Sequence, residues 1–492
     1  LSKKVIIIGA GFAGLSAAAF MAREGWQVTV LEKNATAGGR ARQLVTNGFS
    51  FDMGPSWYWM PDVFERYFQQ FGKRVEDYYT LQRLDPSYRV FWEEEQTDIP
   101  ADYPALKVLF ESIEKGSSTQ LDAYLKEAAH KYRIGIQQLV YKPGQSLSEF
   151  MDWEVIRNVF RLDVFTSIKR HIAKYFKHSK LQQLMEFPVL FLGALPKDTP
   201  ALYSLMNYAD VKGGTWYPEG GMFSIVKSMQ SLAEELGVIF QFNEEAKEIV
   251  VEKNSVKKLL TAKAEYLADV IISGADYHFT ESQLLAAPYR SYTESYWDKK
   301  VLAPSCLIYY VGLNRKLPNV LHHNLFFDVP FEQHADEIYT HKQWPSEPLF
   351  YLSVTSKTDV HVAPPEGENL FILIPIAAGL NGDTELVRER YFQQVIQRIE
   401  SRTGQSIQGH IVYKKSYSVS DFENDYHSFK GNAYGLANTL LQTAIFKPSC
   451  QSKKVKNLFY TGQFTVPGPG VPPSLISGEV VSKQVIKLFK GR

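Results

Sequence analysis

The chain has 492 residues, 45% of them hydrophobic and 22% charged, which makes it globular and long enough for two or three domains with sizeable cores. Its 54 Lys and Arg against 53 Asp and Glu leave it nearly neutral, so a general nucleic-acid field is excluded. Cys306 and Cys450 have neither CxxC nor metal spacing, which argues against a disulfide framework and suits a reducing compartment.

In chain order, Val5-Ile6-Ile7-Ile8 predicts a buried strand running into Gly9-Ala10-Gly11-Phe12-Ala13-Gly14. A small-residue helix, Leu15 to Arg23, and a second strand, Val28-Thr29-Val30-Leu31-Glu32, follow. Such a glycine turn lets the backbone approach a pyrophosphate at the N-terminus of the helix. Glu32 stands where a carboxylate accepts hydrogen bonds from a ribose hydroxyl. The plainer alternative, a glycine-rich structural turn, does not account for strand, turn, helix, strand and acid appearing in order. After Lys33 comes Gly38-Gly39-Arg40-Ala41-Arg42. Its adjacent glycines and two phosphate-pairing cations move the reading from a nicotinamide to a flavin.

Phe49 to Pro55 reads as a short strand broken by Gly54-Pro55, and Asp52 within it is either a neighbour of the cofactor or a turn acceptor. Trp57, Tyr58, Trp59 and Met60 form an apolar cluster that lines a channel or packs beneath the first unit. Residues 104–212 read mainly as helices. Within them, Glu154 to Lys180 carries Arg157, Arg161, Lys169, Arg170, Lys174, Lys177 and Lys180 interleaved with apolar and aromatic residues. This is either a helix lying on anionic lipid or an ordinary solvated face over a core. No apolar run reaches the roughly 18 residues of a membrane span. The first strand begins too early for a signal peptide, so a cytoplasmic chain is expected.

A second unit opens at Tyr217-Pro218-Glu219-Gly220-Gly221-Met222 with a helix to about Leu236, then strands at 238–240, 248–251 and 270–272. Between about 290 and 440 lie further strands, such as 307–311 and 370–374, and a helix from Thr384 to Arg402. His322 and His323, the one adjacent histidine pair, are expected to point apart on a strand, and no metal site is expected. The chain ends with strand Asn457-Leu458-Phe459-Tyr460, then Thr461-Gly462-Gln463, Gly468, Gly470 and a helix from about Ser474. The two ends therefore read as halves of one nucleotide site.

Taken together, the first glycine block, Gly38-Gly39-Arg40, Phe51 to Pro55, Tyr217 to Gly221, Leu458 to Gln463 and Pro467-Gly468-Pro469-Gly470-Val471 resemble bacterial carotenoid desaturases of the phytoene desaturase type. These belong to the FAD-dependent amine oxidase-like flavoprotein superfamily. The matching blocks recur in order from residue 3 to about 485. The resemblance implies an α/β fold with a Rossmann-like FAD-binding domain assembled from residues 1–85, 213–290 and 440–492. It also implies a β-sheet substrate domain from 86–103 and 291–439, and a helical, membrane-associated insert at 104–212. The implied FAD contacts are Gly9, Gly11, Phe12, Ala13, Gly14, Glu32, Lys33, Gly38, Gly39, Arg40, Gly54, Pro55, Gly462, Gln463, Gly470 and Val471.

The implied activity is phytoene-to-lycopene-type desaturation of a carotenoid at the membrane surface, with oxygen or a quinone reoxidising the flavin. A 1-hydroxycarotenoid 3,4-desaturase or a related carotene oxidoreductase is the near alternative. An amine or porphyrinogen oxidase and a flavin-free prenyl-binding escort protein are the distant ones. The resemblance implies an acid ahead of the helical insert that is proposed as acid/base in the family, and Asp152 in Phe150-Met151-Asp152 stands near it, as that acid/base or as a helix N-cap. Gln463 and Pro469 depart from the family pattern. The absence of G-x-S-x-G, H-E-x-x-H and P-loop motifs fits chemistry carried by cofactor and substrate.

Overall fold

The computed structural model describes residues 3–144, 163, 165–190 and 193–490. The fold is mixed α/β. A five-stranded sheet runs in the order Leu458–Tyr460, Val270–Ser273, Lys4–Ile8, Gln27–Glu32, Ile239–Phe242, with every pair parallel. The apolar run Val5 to Ile8 follows from this position, because a central parallel strand is covered on both faces and has no polar side to show.

Helix Phe12–Arg23 packs along the last helix, Val471–Lys490. Alanines on the first and Gly478 on the second bring the backbones close: a Cβ on Gly478 would lie 2.6 Å from the Ala13 carbonyl oxygen. Ser16 Oγ donates to the Leu475 carbonyl at 2.7 Å across the same seam. Pro472 and Pro473 sit in the first turn of the last helix, where a missing N–H costs nothing. The helix therefore starts at Val471 rather than Ser474.

Arg66 of helix Pro61–Gln69 clamps this helix with a two-pronged bond to Glu479, at 2.7 and 2.9 Å. Glu479 is 3% exposed and Arg66 36%. Arg66→Ala leaves a buried carboxylate with Lys483 alone. After discounting for the solvent at Arg66, the expected loss is about 2 kcal/mol, read as a lower melting temperature. An unchanged melt would mean that the clamp contributes nothing.

The second sheet has seven strands, in the order Ile411–Tyr417, Ser305–Leu313, Glu368–Ile376, Phe350–Ser353, His323–Phe326, Tyr88–Phe91, Gln96–Ile99. All its pairs are antiparallel except the one joining Tyr88–Phe91 to His323–Phe326. Side chains alternate as a strand requires. Leu307, Tyr309 and Val311 face helix Glu385–Thr403, while Cys306, Ile308 and Tyr310 join the core shared with the parallel sheet.

Helices Tyr103–Ile113, Ser117–Ile134, Ile168–Ile172, Ser179–Leu190 and Leu205–Val211 make up the helical part. Among the described residues no helix is long and apolar enough to cross a membrane. The expected single basic helix is corrected in its described portion. It breaks after Ile172, and just before the next helix starts at Ser179 the Glu114 carboxylate accepts the N–H groups of Lys177 and His178 at 2.9 and 2.8 Å. Ile168, Ile172 and Phe176 are fully buried, so they form a face over a core, whereas Phe165 is 81% exposed.

Candidate active site

The carboxyl ends of the parallel strands open onto one cavity of about 470 Å³. The turn after the first strand contributes Gly9, Gly11, Phe12 and Ala13, and the second strand contributes Glu32 and Lys33. Gly38, Gly39, Arg40, Gly54 and Pro55 come from the loops beyond it, and Gly462, Gln463, Gly470 and Val471 from the far end of the chain. Gly14 stands behind the wall, where a Cβ would lie 2.0 Å from the Gly9 carbonyl oxygen. Asp152 lies outside the described residues.

Gly11 has extended backbone, φ −74° and ψ 175°, which any residue adopts, and a Cβ there would meet no protein atom within 4 Å. The polypeptide itself does not require glycine here. The helix that begins at Phe12 has no side-chain cap, so its first N–H groups face the open space in front of Gly11. Arg40 is held by Ser428 Oγ at 2.8 Å and the Asn432 carbonyl at 3.3 Å, while its Nε has no hydrogen-bond partner among the described residues. Burial pulls its pKa down, opposed by nearby Asp276. An uncapped helix start, an open glycine and an under-bonded arginine fit a phosphate-bearing cofactor.

Glu32 is buried and takes the Ala10 N–H on one oxygen and the Asn34 N–H and Nδ2 on the other, each at 2.9 Å. These bonds hold the two turns together and leave carboxylate lone pairs on the cavity side. Lys33 Nζ donates to the Asn424 carbonyl at 2.7 Å, and Gln463 Nε2 to Asn432 Oδ1 at 3.1 Å.

Two sequence expectations are corrected by distant partners. Arg42 pairs with Asp425 at 2.5 Å and Tyr426 at 3.2 Å and does not line the cavity, so it does not meet phosphate. Asp52 is the acceptor, but for a helix start rather than a local turn. It takes the N–H groups of Met222 and Phe223 at 2.7 and 3.0 Å, and burial pushes its pKa up to about 7.

The other wing of the cavity is apolar. Trp57, Trp59, Met60 and Phe187 face Leu325, Tyr351 and Leu373 of the antiparallel sheet. Of the Trp57 to Met60 cluster, only Tyr58 turns away, to pack on Phe64 and meet the Tyr79 hydroxyl at 2.9 Å. Trp57 sits centrally, its ring 5.2 Å from Trp59, 5.8 Å from Phe187 and stacked on His323 at 4.1 Å. Trp59 donates to Thr215 Oγ1 at 2.9 Å, and Tyr88, which packs on Trp57, donates to Asp210 at 3.1 Å.

The expectation that His322 and His323 point apart is wrong. His322 precedes the strand, so alternation does not apply, and the two rings are 4.4 Å apart. Glu127, Asp163 and His171 bring ligand atoms within 4.8 Å of one another, but Lys131 Nζ lies 2.9 Å from Asp163 and supplies the positive charge there. Sequence reading missed the cavity residues Asp276, Tyr426 and His427. For Asp276, the Gly274-Ala275 turn after strand Val270–Ser273 is the signal that was available.

Residues 12–486 match the family of flavin containing amine oxidoreductases. A carotenoid 3,4-desaturase of Haloarcula japonica is 40% identical over 485 residues, 98% of each chain. A zeta-carotene-forming phytoene desaturase of Myxococcus xanthus is 30% identical over 491 residues, 98% of this chain and 94% of that one. The chain belongs to the carotenoid desaturases of this family. Among solved structures, a putrescine oxidase bound to putrescine superposes with a TM-score of 0.65 at 12% identity, covering 99% of both chains. An oxidoreductase from Methanosarcina mazei gives 0.64 at 16%, covering 98% of this chain and all of that one. These two likenesses show the fold alone. As a member of the flavin family, this desaturase is an FAD-dependent oxidoreductase acting on CH–CH groups.

Proposed function

We propose that this desaturase inserts carbon-carbon double bonds into a long carotenoid held in the apolar wing, with FAD in the glycine-lined wing. The carrying observation is the single cavity that joins the two wings. In this reading residues 1–85, 213–290 and 440–492 form a Rossmann-like FAD domain, 86–103 and 291–439 the substrate domain, and 104–212 the helical insert. The N–H groups at Gly11 to Ala13 and the Arg40 guanidinium receive the phosphates, and Glu32 a ribose hydroxyl.

FAD, when bound, supplies a hydride acceptor. The chain aligns the polyene, excludes water and lays aromatic faces along it. Trp57, Trp59 and Phe187 offer negative ring faces to the positive charge left on the polyene, an attraction of about 2 kcal/mol when desolvated. Exposed Phe165 beside exposed Lys169, Arg170, Lys174 and Lys177 supports peripheral attachment to anionic lipid, from which the substrate enters. Oxygen or a quinone then takes the electrons.

The step itself has two readings. Phytoene-to-lycopene-type desaturation is the sequence expectation. The higher identity to a carotenoid 3,4-desaturase, 40% against 30%, favours an end-group step. Incubating the FAD-loaded protein with liposomes holding either phytoene or a hydroxylated carotene decides between them by product absorbance. A red-shifted product from phytoene establishes the early step, and conversion of only the hydroxylated carotene establishes the late one. No conversion of either rejects the proposal.

A further inference from the structure

Desaturation needs a proton acceptor as well as a hydride acceptor. Once hydride has left, the adjacent C–H of an allylic cation is a strong acid, so a neutral oxygen that reaches it is base enough. In the apolar wing most described candidates are already committed. His334 donates from Nε2 to the Pro375 carbonyl at 2.8 Å and accepts the Leu349 N–H on Nδ1 at 2.9 Å, which leaves its ring no vacant nitrogen. Cys306 is fully buried and shares a hydrogen bond with Tyr434.

Tyr351 differs. It lines the cavity on the same sheet face as its register partners Leu325 and Leu373. Its hydroxyl lies 2.6 Å from Nδ1 of His323, a residue of 0% exposure behind the cavity wall. Nε2 of His323 has no hydrogen-bond partner among the described residues. The imidazole lies flat on Trp57, 4.1 Å away with the planes 9° apart. Burial, reinforced by neighbouring His322, holds the free imidazole neutral.

We propose that Tyr351 is the residue that receives the proton, with His323 positioned behind it to take the tyrosine's own proton. The C–H bond next to the cation breaks, its electron pair becomes the new π bond, and its proton goes to the Tyr351 oxygen. The Tyr351 proton passes to His323 Nδ1, while FAD, when bound, would supply the acceptor for the hydride. The stacked Trp57 face then carries the imidazolium charge. This assignment rests on the desaturase reading and requires the Nε2–H tautomer of His323.

Two measurements test it. In 15N-histidine spectra of the flavin-loaded protein, His323 should show an unprotonated Nδ1 that accepts a hydrogen bond, and this signature should change in Tyr351→Phe. A protonated Nδ1 overturns the relay. In turnover with the carotenoid that the unaltered chain converts, Tyr351→Phe should keep its flavin and its KM and lose roughly 100-fold in kcat. His323→Gln should abolish the solvent deuterium isotope effect. Tyr351→Phe within about threefold of the unaltered rate, or a 100-fold loss confined to Asp152→Asn, overturns the inference and leaves the desaturase reading standing. An unaltered chain that converts no carotenoid overturns both.

Discussion

Gly11→Val should purify folded and colourless. A valine at this position meets no protein atom near its Cβ and sits on backbone that any residue adopts, so the apoprotein should melt as the unaltered one does. Its methyl groups instead fill the space in front of the uncapped helix start, where the pyrophosphate belongs. Losing two charge-assisted N–H bonds at about 2 kcal/mol each lowers FAD affinity roughly 1000-fold. The check is flavin absorbance per mole of protein beside a melt of the apoprotein. Stoichiometric flavin would move the cofactor elsewhere. An unfolded, flavin-free chain would make Gly11 a structural glycine.

Gly478→Val should fail in the opposite way, by loss of stability first. Its Cβ would lie 2.6 Å from the Ala13 carbonyl oxygen, 2.6 Å from Ser16 Cβ and 2.7 Å from the Ala17 nitrogen. None of these can swing aside as the tip of a long side chain does, so the first and last helices must part. Overpacking of this kind costs about 3 kcal/mol. Because Ala13 also lines the cavity, the displaced helix takes the cofactor turn with it, and flavin content should fall too. An apoprotein melt within a degree or so of the unaltered chain would show that the seam has slack.

What could be read from the sequence was local and periodic. Val5 to Glu32 announced strand, turn, helix and strand because their spacing depends on neighbours in the chain, and the structure forms them where expected. Gly478 gave no warning: within Ile476-Ser477-Gly478 it looks like a weak spot in a helix, and its reason lies in a helix more than 450 residues earlier. Arg42 looked like a phosphate cation because Asp425 and Tyr426 are remote in sequence. The basic stretch before Lys180 has helical period, but it is not helical between Ile172 and Ser179, where Glu114, at the end of another helix, holds the N–H groups of Lys177 and His178. The partnership of Tyr351 with His323 depends on how two strands register, which a hydrophobic pattern does not specify residue by residue.

The joining of the chain's two ends bears on how the protein is made. On the ribosome the strand Lys4–Ile8 and its glycine turn emerge well before Leu458–Tyr460 and the helix Val471–Lys490. Until then Val270–Ser273 has an unpaired edge, and the first helix has nothing over its alanine face. A chain released before these elements therefore lacks the stretch of cavity wall from Thr461 to Ser474 and the stabilisation that a bound ligand gives the native state. A chain that stops before Leu458 should therefore hold no flavin.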